Sequence, residues 1–124
     1  MNLVDSSAWL EYFANGPNAA FFSRAIEETE KLLVPTICIL EVFKRVLQQR
    51  GEGTALRVAA QMQQGKIVDL DRALALSSAK ISLDNKLPLA DSVILATARA
   101  YGAVLWTRDA DFAKIKGVKY LAKR

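Results

Sequence analysis

Residues 87–102 read LPLADSVILATARAYG, and residues 103–112 continue AVLWTRDADF. Pro88 is favoured in a first helical turn and Gly102 is a helix stop, so the spacing predicts a helix opening around Pro88 and ending at Gly102. Ile94, Leu95 and Ala98 follow Asp91 by three, four and seven residues, which sets that acid on the apolar stripe of the helix. Ala103 to Thr107 then reads as a short buried strand. A helix that hands the chain directly to an apolar strand is the repeating unit of a parallel α/β sheet. Each half of the stretch also carries an acid in an unexpected place: Asp91 facing the core, and Asp109 just after the strand.

The same alternation runs through the rest of the chain. The pattern predicts a strand at 2–5, a short helix from Ser6 or Ser7 toward Phe13, a turn at 15–18, and a helix to about Lys31. A strand follows at 32–34, then a helix N-capped by Thr36, running to Arg50 and closed by Gly51. Another helix covers about 53–64 and ends at Gly65. A strand at 67–70 leads into a helix at about 72–84. After Asp109 come a turn of helix at 111–114 and a last strand at 118–121. There is no internal repeat, low-complexity tract or linker, and 124 residues fit a single domain, 1–124. The expected fold class is α/β, a three-layer α/β/α domain with a central parallel sheet. Ligands of such sheets bind beyond the carboxyl ends of the strands, where strand order reverses. Asp5 and Asp109 stand at two such ends, and they meet if the first and fourth strands are neighbours.

Two further acids complete a set. Asp5 closes the apolar start Leu3-Val4, and Glu41 interrupts the run LLVPTICILEVF, residues 32–43. A buried acid is costly unless it is paired or coordinates a metal. Each of the four has an ordinary explanation when taken singly. Asp5 suits a helix N-cap. Glu41 suits an ion pair with Lys44 or Arg45. Asp91 suits the helix dipole, and Asp109 or Asp111 suits an Asx-turn. Their joint occurrence in a chain without histidine points instead to a hard cation on oxygen ligands.

The missing histidine excludes a Ser-His-Asp triad, a histidine general base and a Cys/His zinc site. The single Cys38, between Ile37 and Ile39, excludes an intrachain disulfide and is expected to be a buried, inert thiol in a cytoplasmic protein. No stretch approaches the ~18 apolar residues of a membrane span, and MNLVDSS lacks the basic start of a secretory signal. Net charge is +4, from 17 basic and 13 acidic residues. With four acids neutralised by a divalent ion, nine would remain against 17 bases, a net +8. Lys114, Lys116, Lys119, Lys123 and Arg124 crowd the last eleven residues. A basic surface around an acidic centre suits a polyanion delivered to a metal site.

Four segments, DSSAWLEYF, PTICILEVF, LPLADSVILATARAYG and AVLWTRDADF, resemble in order and spacing the signature segments of PIN-domain ribonucleases. Among these, the chain is most similar to the compact VapC-type toxins of toxin–antitoxin pairs. The resemblance covers essentially the whole chain. Its one small departure is Ser92-Val93, where small residues are common after the third acid. It implies strand order 3-2-1-4-5 and a catalytic, metal-binding cluster of Asp5, Glu41, Asp91 and Asp109 around one or two Mg²⁺ or Mn²⁺ ions. Asp111, Ser6 and Thr107 are implied as accessory groups. Arg108, Lys86, Arg99 and Lys114 are expected to guide RNA phosphates.

The implied activity is cleavage of structured RNA, tRNA or rRNA, by metal-activated water, leaving a 5′-phosphate and a 3′-hydroxyl and arresting translation. Such chemistry needs no histidine base. The implied partners are RNA, a cognate antitoxin that blocks the site with a basic side chain, and a second copy in a homodimer. Trp9, Phe13, Phe21 and Phe22 are read as core, with one or two available to a dimer face. The alternative is a catalytically silent PIN domain serving as a binding subunit of a regulatory complex, against which the complete acidic set argues. A phosphatase built on Val68-Asp-Leu-Asp71 is disfavoured, because Arg72-Ala73 follows where a small hydroxyl residue is expected and the chain is short for that fold.

Overall fold

A computed structural model describes residues 1–122. Lys123 and Arg124, counted above in the basic C-terminal stretch, lie outside the described residues. The apolar runs become five parallel strands: β1 (Asn2–Val4), β2 (Leu32–Pro35), β3 (Lys66–Val68), β4 (Val104–Thr107) and β5 (Val118–Tyr120). Their order in the sheet is β3-β2-β1-β4-β5. Helices α1 (Ser6–Phe13), α2 (Ala19–Ile26), α3 (Thr36–Met62), α4 (Arg72–Asn85) and α5 (Leu89–Ala100) flank it. The expected α/β/α layering and strand order are therefore present.

Strand chemistry follows position in the sheet. All four residues of β2 are buried, as are Leu3 and Val4 of β1 and Leu105, Trp106 and Thr107 of β4. These central strands are covered on both faces, so they read as unbroken apolar runs. The edge strands β3 and β5 alternate or face solvent. Leu3, Val4, Leu33, Val34, Trp9, Phe22 and Phe112 are fully enclosed, and each such side chain contributes roughly 1.5–3 kcal/mol of burial free energy. Trp9 and Phe22 are thus core. Phe13 stacks on Trp9, and Phe21 packs on Phe22 and Trp106.

Several boundaries differ from the sequence expectation. The second helix stops at Ile26, not Lys31, and Thr29–Lys31 form a separate 3-10 turn. Residues 27–31 (EETEK) offer no apolar side chain to bury, and acids at a helix C-terminus oppose the dipole. Thr36 is the first residue of α3 rather than its cap, because Pro35 ends β2 in an extended conformation and occupies the cap position itself. β3 ends at Val68, leaving Asp69 and Leu70 outside it, and Asp71 caps α4 by accepting from the Leu74 N–H at 2.8 Å. The 3-10 turn after Asp109 spans Ala110–Phe112, one residue earlier than expected. Gly51, at φ +84° and ψ 176°, breaks α3 where the sequence places the end of one helix and the start of the next. Among the described residues no helix is long and apolar enough to cross a membrane.

Candidate active site

Parallel register sets Val4 opposite Trp106, so the first residues past β1 and β4 leave the sheet side by side. This is the point where strand order reverses: β2 and β3 lie to one side of β1, and β4 and β5 to the other. Asp5 follows β1 and is 2 % exposed. Its Oδ1 accepts from the Ala8 N–H at 3.1 Å and from Ser7 Oγ at 2.7 Å, and its Oδ2 accepts from Thr107 Oγ1 at 2.6 Å. Asp5 is therefore the helix cap that its position suggested, and its side chain also spans the gap to β4. Burial lifts its pKa to about 6, opposed by the Thr107, Ser7 and Ala8 hydrogen bonds and reinforced by the charge of Asp109.

The β4 end is built by a relay through Thr107. Its hydroxyl donates to Asp5 and accepts from the Asp109 N–H at 2.9 Å, while Asp109 Oδ1 accepts from the Asp111 N–H at 2.9 Å. Asp109 thus makes the Asx-turn expected of an aspartate after a strand. Asp91 arrives from the first turn of α5. One carboxylate oxygen from each of Asp91, Asp109 and Asp111 lies within 4.8 Å of the others. Among the described residues, no group donates a hydrogen bond to Asp91, and its pKa is pushed up to about 7. Burial is the chief cause, followed by the charges of Asp109, Asp111, Asp5 and Glu41. Glu41 accepts from Ser6 Oγ at 2.7 Å, and not from Lys44 or Arg45.

Asp5, Ser6, Glu41, Asp91 and Asp109 line one cleft of about 290 Å³. Four acids from four separate segments, with Asp111 at their edge, are brought together there. Carboxylate oxygens at this spacing, none of them ion-paired with a base among the described residues, suit a hard divalent cation, which takes carboxylates and keeps several waters. The donor set contains no nitrogen or thiolate. Cys38 is buried within the core, where desolvation pushes its thiol well above the ordinary range.

Two residues of the site escaped the sequence reading. Ser7 bonds Asp5 and accepts from the Arg108 N–H at 3.3 Å. Glu11, 6 % exposed, pairs through Oε1 with the Arg108 guanidinium and accepts the Asn18 N–H through Oε2 at 2.8 Å. Arg108 is the residue between Thr107 and Asp109, so this pair ties the acid-bearing loop to α1. The one available hint was weak: Glu11 shares a helical face with Ser7 and the buried Ala8. Of the basic residues expected to guide RNA, Arg108 is engaged by Glu11. Lys86 and Lys114 are exposed, Lys86 as the left-handed C-cap of α4. Arg99 sits at the far end of α5, about 12 Å along the axis from Asp91.

A family model of the PIN domain matches residues 3–118. The chain belongs to the PIN-domain family. No curated protein sequence matches it significantly. Among solved structures, this PIN domain is similar to a chain of a toxin–antitoxin complex from Klebsiella pneumoniae, at 26% identity and TM-score 0.80, covering 95% of each chain. It also superposes on Mycobacterium tuberculosis VapC20, a sarcin-ricin-loop-cleaving toxin, with TM-score 0.79, 16% identity, and coverage of 96% and 98%. The toxin–antitoxin pair VapBC2 of Rickettsia felis, bound to a promoter DNA fragment, matches with TM-score 0.74, 11% identity, and coverage of 98% and 97%. Those two likenesses below 25% identity speak for the fold. The PIN-domain fold and the switch-point acids thus come from the same four segments singled out in the sequence.

Proposed function

We propose that this PIN domain is a divalent-metal-dependent endoribonuclease and the toxin of a toxin–antitoxin pair, acting in the cytoplasm on structured RNA. The observation that carries the reading is the convergence of Asp91, Asp109 and Asp111 within 4.8 Å, in a cleft shared with Asp5 and Glu41. Asp5, Glu41, Asp91 and Asp109 would hold one or two Mg²⁺ or Mn²⁺ ions, with Asp111 as an accessory ligand. When bound, the ion would activate water and offset charge on the phosphoryl group.

The residues of the chain supply the rest. Ser7 and Thr107 favour the ionised form of Asp5 against its burial, and fix its direction, by donating to both of its oxygens. Ser6 donates to one oxygen of Glu41 and so fixes its direction. Asp91, without a donor, is left as the acid whose charge most needs a cation. The structural likeness to a chain of a toxin–antitoxin complex supports an antitoxin as protein partner. A homodimer is the expected assembly, and the exposed Leu76, Leu83 and Leu89 of α4 and α5 offer it apolar surface.

Incubation of the protein with bulk tRNA and rRNA in Mn²⁺ tests the reading. Discrete fragments bearing 5′-phosphates, abolished by EDTA and by Asp109→Asn, are expected. RNA left intact by wild type, or cleavage indifferent to EDTA, would sink the catalytic reading and leave a binding subunit.

A further inference from the structure

The acidic cleft does not end at the acids. It continues past a wall shared by Ser7, Leu10 and Arg45 into a depression of about 420 Å³, bounded also by Gln49, Glu11 and Arg108. Glu41, Arg45 and Gln49 are spaced four apart on α3, so they form one row along that helix. Glu41 faces the first cleft, Arg45 lines both, and Gln49 lines the second.

Charge along this row is unusual. A glutamate four residues before an arginine on an exposed helix normally pairs with it. Here Glu41 receives Ser6 instead, and among the described residues Arg45 has no ion pair or hydrogen bond to a side chain. The other guanidinium of the depression, on Arg108, lies against Glu11. Arg45 is therefore the uncompensated cation of the cleft, exposed and about 6 Å along the helix axis beyond Glu41. Five neighbouring carboxylates repel a polyanion, so a strand that reaches them must be held by positive charge nearby. A guanidinium is suited to the task, since its fork matches two phosphate oxygens at once.

We propose that Arg45 binds a backbone phosphate of the RNA adjacent to the one presented to the acids, with Gln49 donating further along the same strand. The second depression is then the path by which the substrate enters or leaves. The proposal rests on the nuclease reading and adds to it a specific phosphate contact and a direction along α3.

The test is the salt dependence of binding of fluorescein-labelled bulk tRNA, read by anisotropy. Ca²⁺ replaces Mn²⁺, since it takes the same oxygen ligands. Wild type is compared with Arg45→Gln and with Lys31→Gln. Lys31 immediately precedes β2 and carries the same charge at the amino end of the strands, opposite the carboxyl ends that bear the acids. Loss of one phosphate contact should lower the slope of log K against log salt by about 0.7–0.9. Arg45→Gln should show that drop and bind several-fold more weakly at low salt, while Lys31→Gln keeps the wild-type slope. Both variants should melt close to wild type, as exposed substitutions do.

Equal slopes for Arg45→Gln and Lys31→Gln would overturn the proposal, showing diffuse attraction or a cleft made for another partner. If wild type still cleaves RNA in Mn²⁺, that outcome leaves the nuclease reading intact. If wild type neither binds tRNA nor is stabilised by Mn²⁺, both readings fall.

Discussion

Replacing Asp91 by asparagine should stabilise the metal-free protein. The carboxyl titrates near pH 7 in the folded state against 3.8 for the ordinary group, because it is partly buried and faces Asp109, Asp111, Asp5 and Glu41. Below pH 3.8 both folded and unfolded chains hold the proton, and the residue is neutral to stability. Between pH 4 and pH 7 the unfolded chain ionises while the folded one keeps its proton. Stability therefore falls with rising pH, and above about pH 7 the full penalty is present. At 1.36 kcal/mol per unit, a shift of about three units sets a ceiling of roughly 4 kcal/mol. Asp91 is only partly buried, and salt screens the repulsion, so about 1–2 kcal/mol is the working expectation. Loss of a first-turn negative charge subtracts roughly 0.3–1 kcal/mol through the helix dipole.

The net gain, near 1 kcal/mol, corresponds to about 3–6 °C in melting temperature for a chain of this size. Thermal melts in EDTA at pH 7.5 should show Asp91→Asn above wild type, with the gap closing by pH 4.5. Added Mn²⁺ should then raise wild type saturably and the variant little, as a ligand that binds only the folded state requires. An Asp91→Asn protein that melts below wild type in EDTA at pH 7.5 would refute the reasoning, and would make Asp91 a helix-dipole partner and not an electrostatic burden.

Two other substitutions test how the cluster is held. Thr107→Val keeps the shape of the β4 end but removes the donor to Asp5 and the acceptor for the Asp109 N–H; a loss of about 1–3 kcal/mol in denaturant unfolding is expected, and an unchanged midpoint would show that water replaces the hydroxyl. Glu11→Gln leaves the enclosed Arg108 guanidinium without its counter-charge and should cost about 2–4 kcal/mol. Arg108→Gln added to it should restore part of that loss, and strictly additive effects in the double-mutant cycle would refute the coupling.

The sequence made the strands legible because buried parallel strands and amphipathic helices have different apolar periods, so 32–34 and 103–107 read as short buried strands, while their order in the sheet came from the family resemblance. The four acids were legible for a related reason: a carboxylate on an apolar stripe or at a buried strand end contradicts its surroundings. Local capping chemistry did not compete with that reading, since Asp5 and Asp109 serve as caps and as members of the cluster together. What stayed hidden depended on partner choice across the chain. Glu41 lies within reach of Arg45 on its own helix, yet it takes Ser6, 35 residues away in sequence. Glu11 looks like a solvent-facing helix residue until Arg108, 97 positions later, is folded onto it.

These partner choices share one electrostatic logic. A cluster of acids at a switch point can persist without collapsing into internal ion pairs only if the nearby guanidiniums are kept off it. Glu11 holds Arg108 aside, and the pairing of Glu41 with a neutral hydroxyl leaves Arg45 outside the cluster. The fold thus preserves both an uncompensated negative centre and an uncompensated cation, Arg45, in the lining of one cleft. Had Arg45 closed on Glu41 and Arg108 on Asp109, neither a cation nor a phosphate would find an open charge to meet. The raised pKa values of Asp5 and Asp91, caused chiefly by burial, carry part of that unresolved repulsion from the acidic side. The unpaired guanidinium of Arg45 expresses it from the basic side, which is why the two are best tested in the same protein under the same salt.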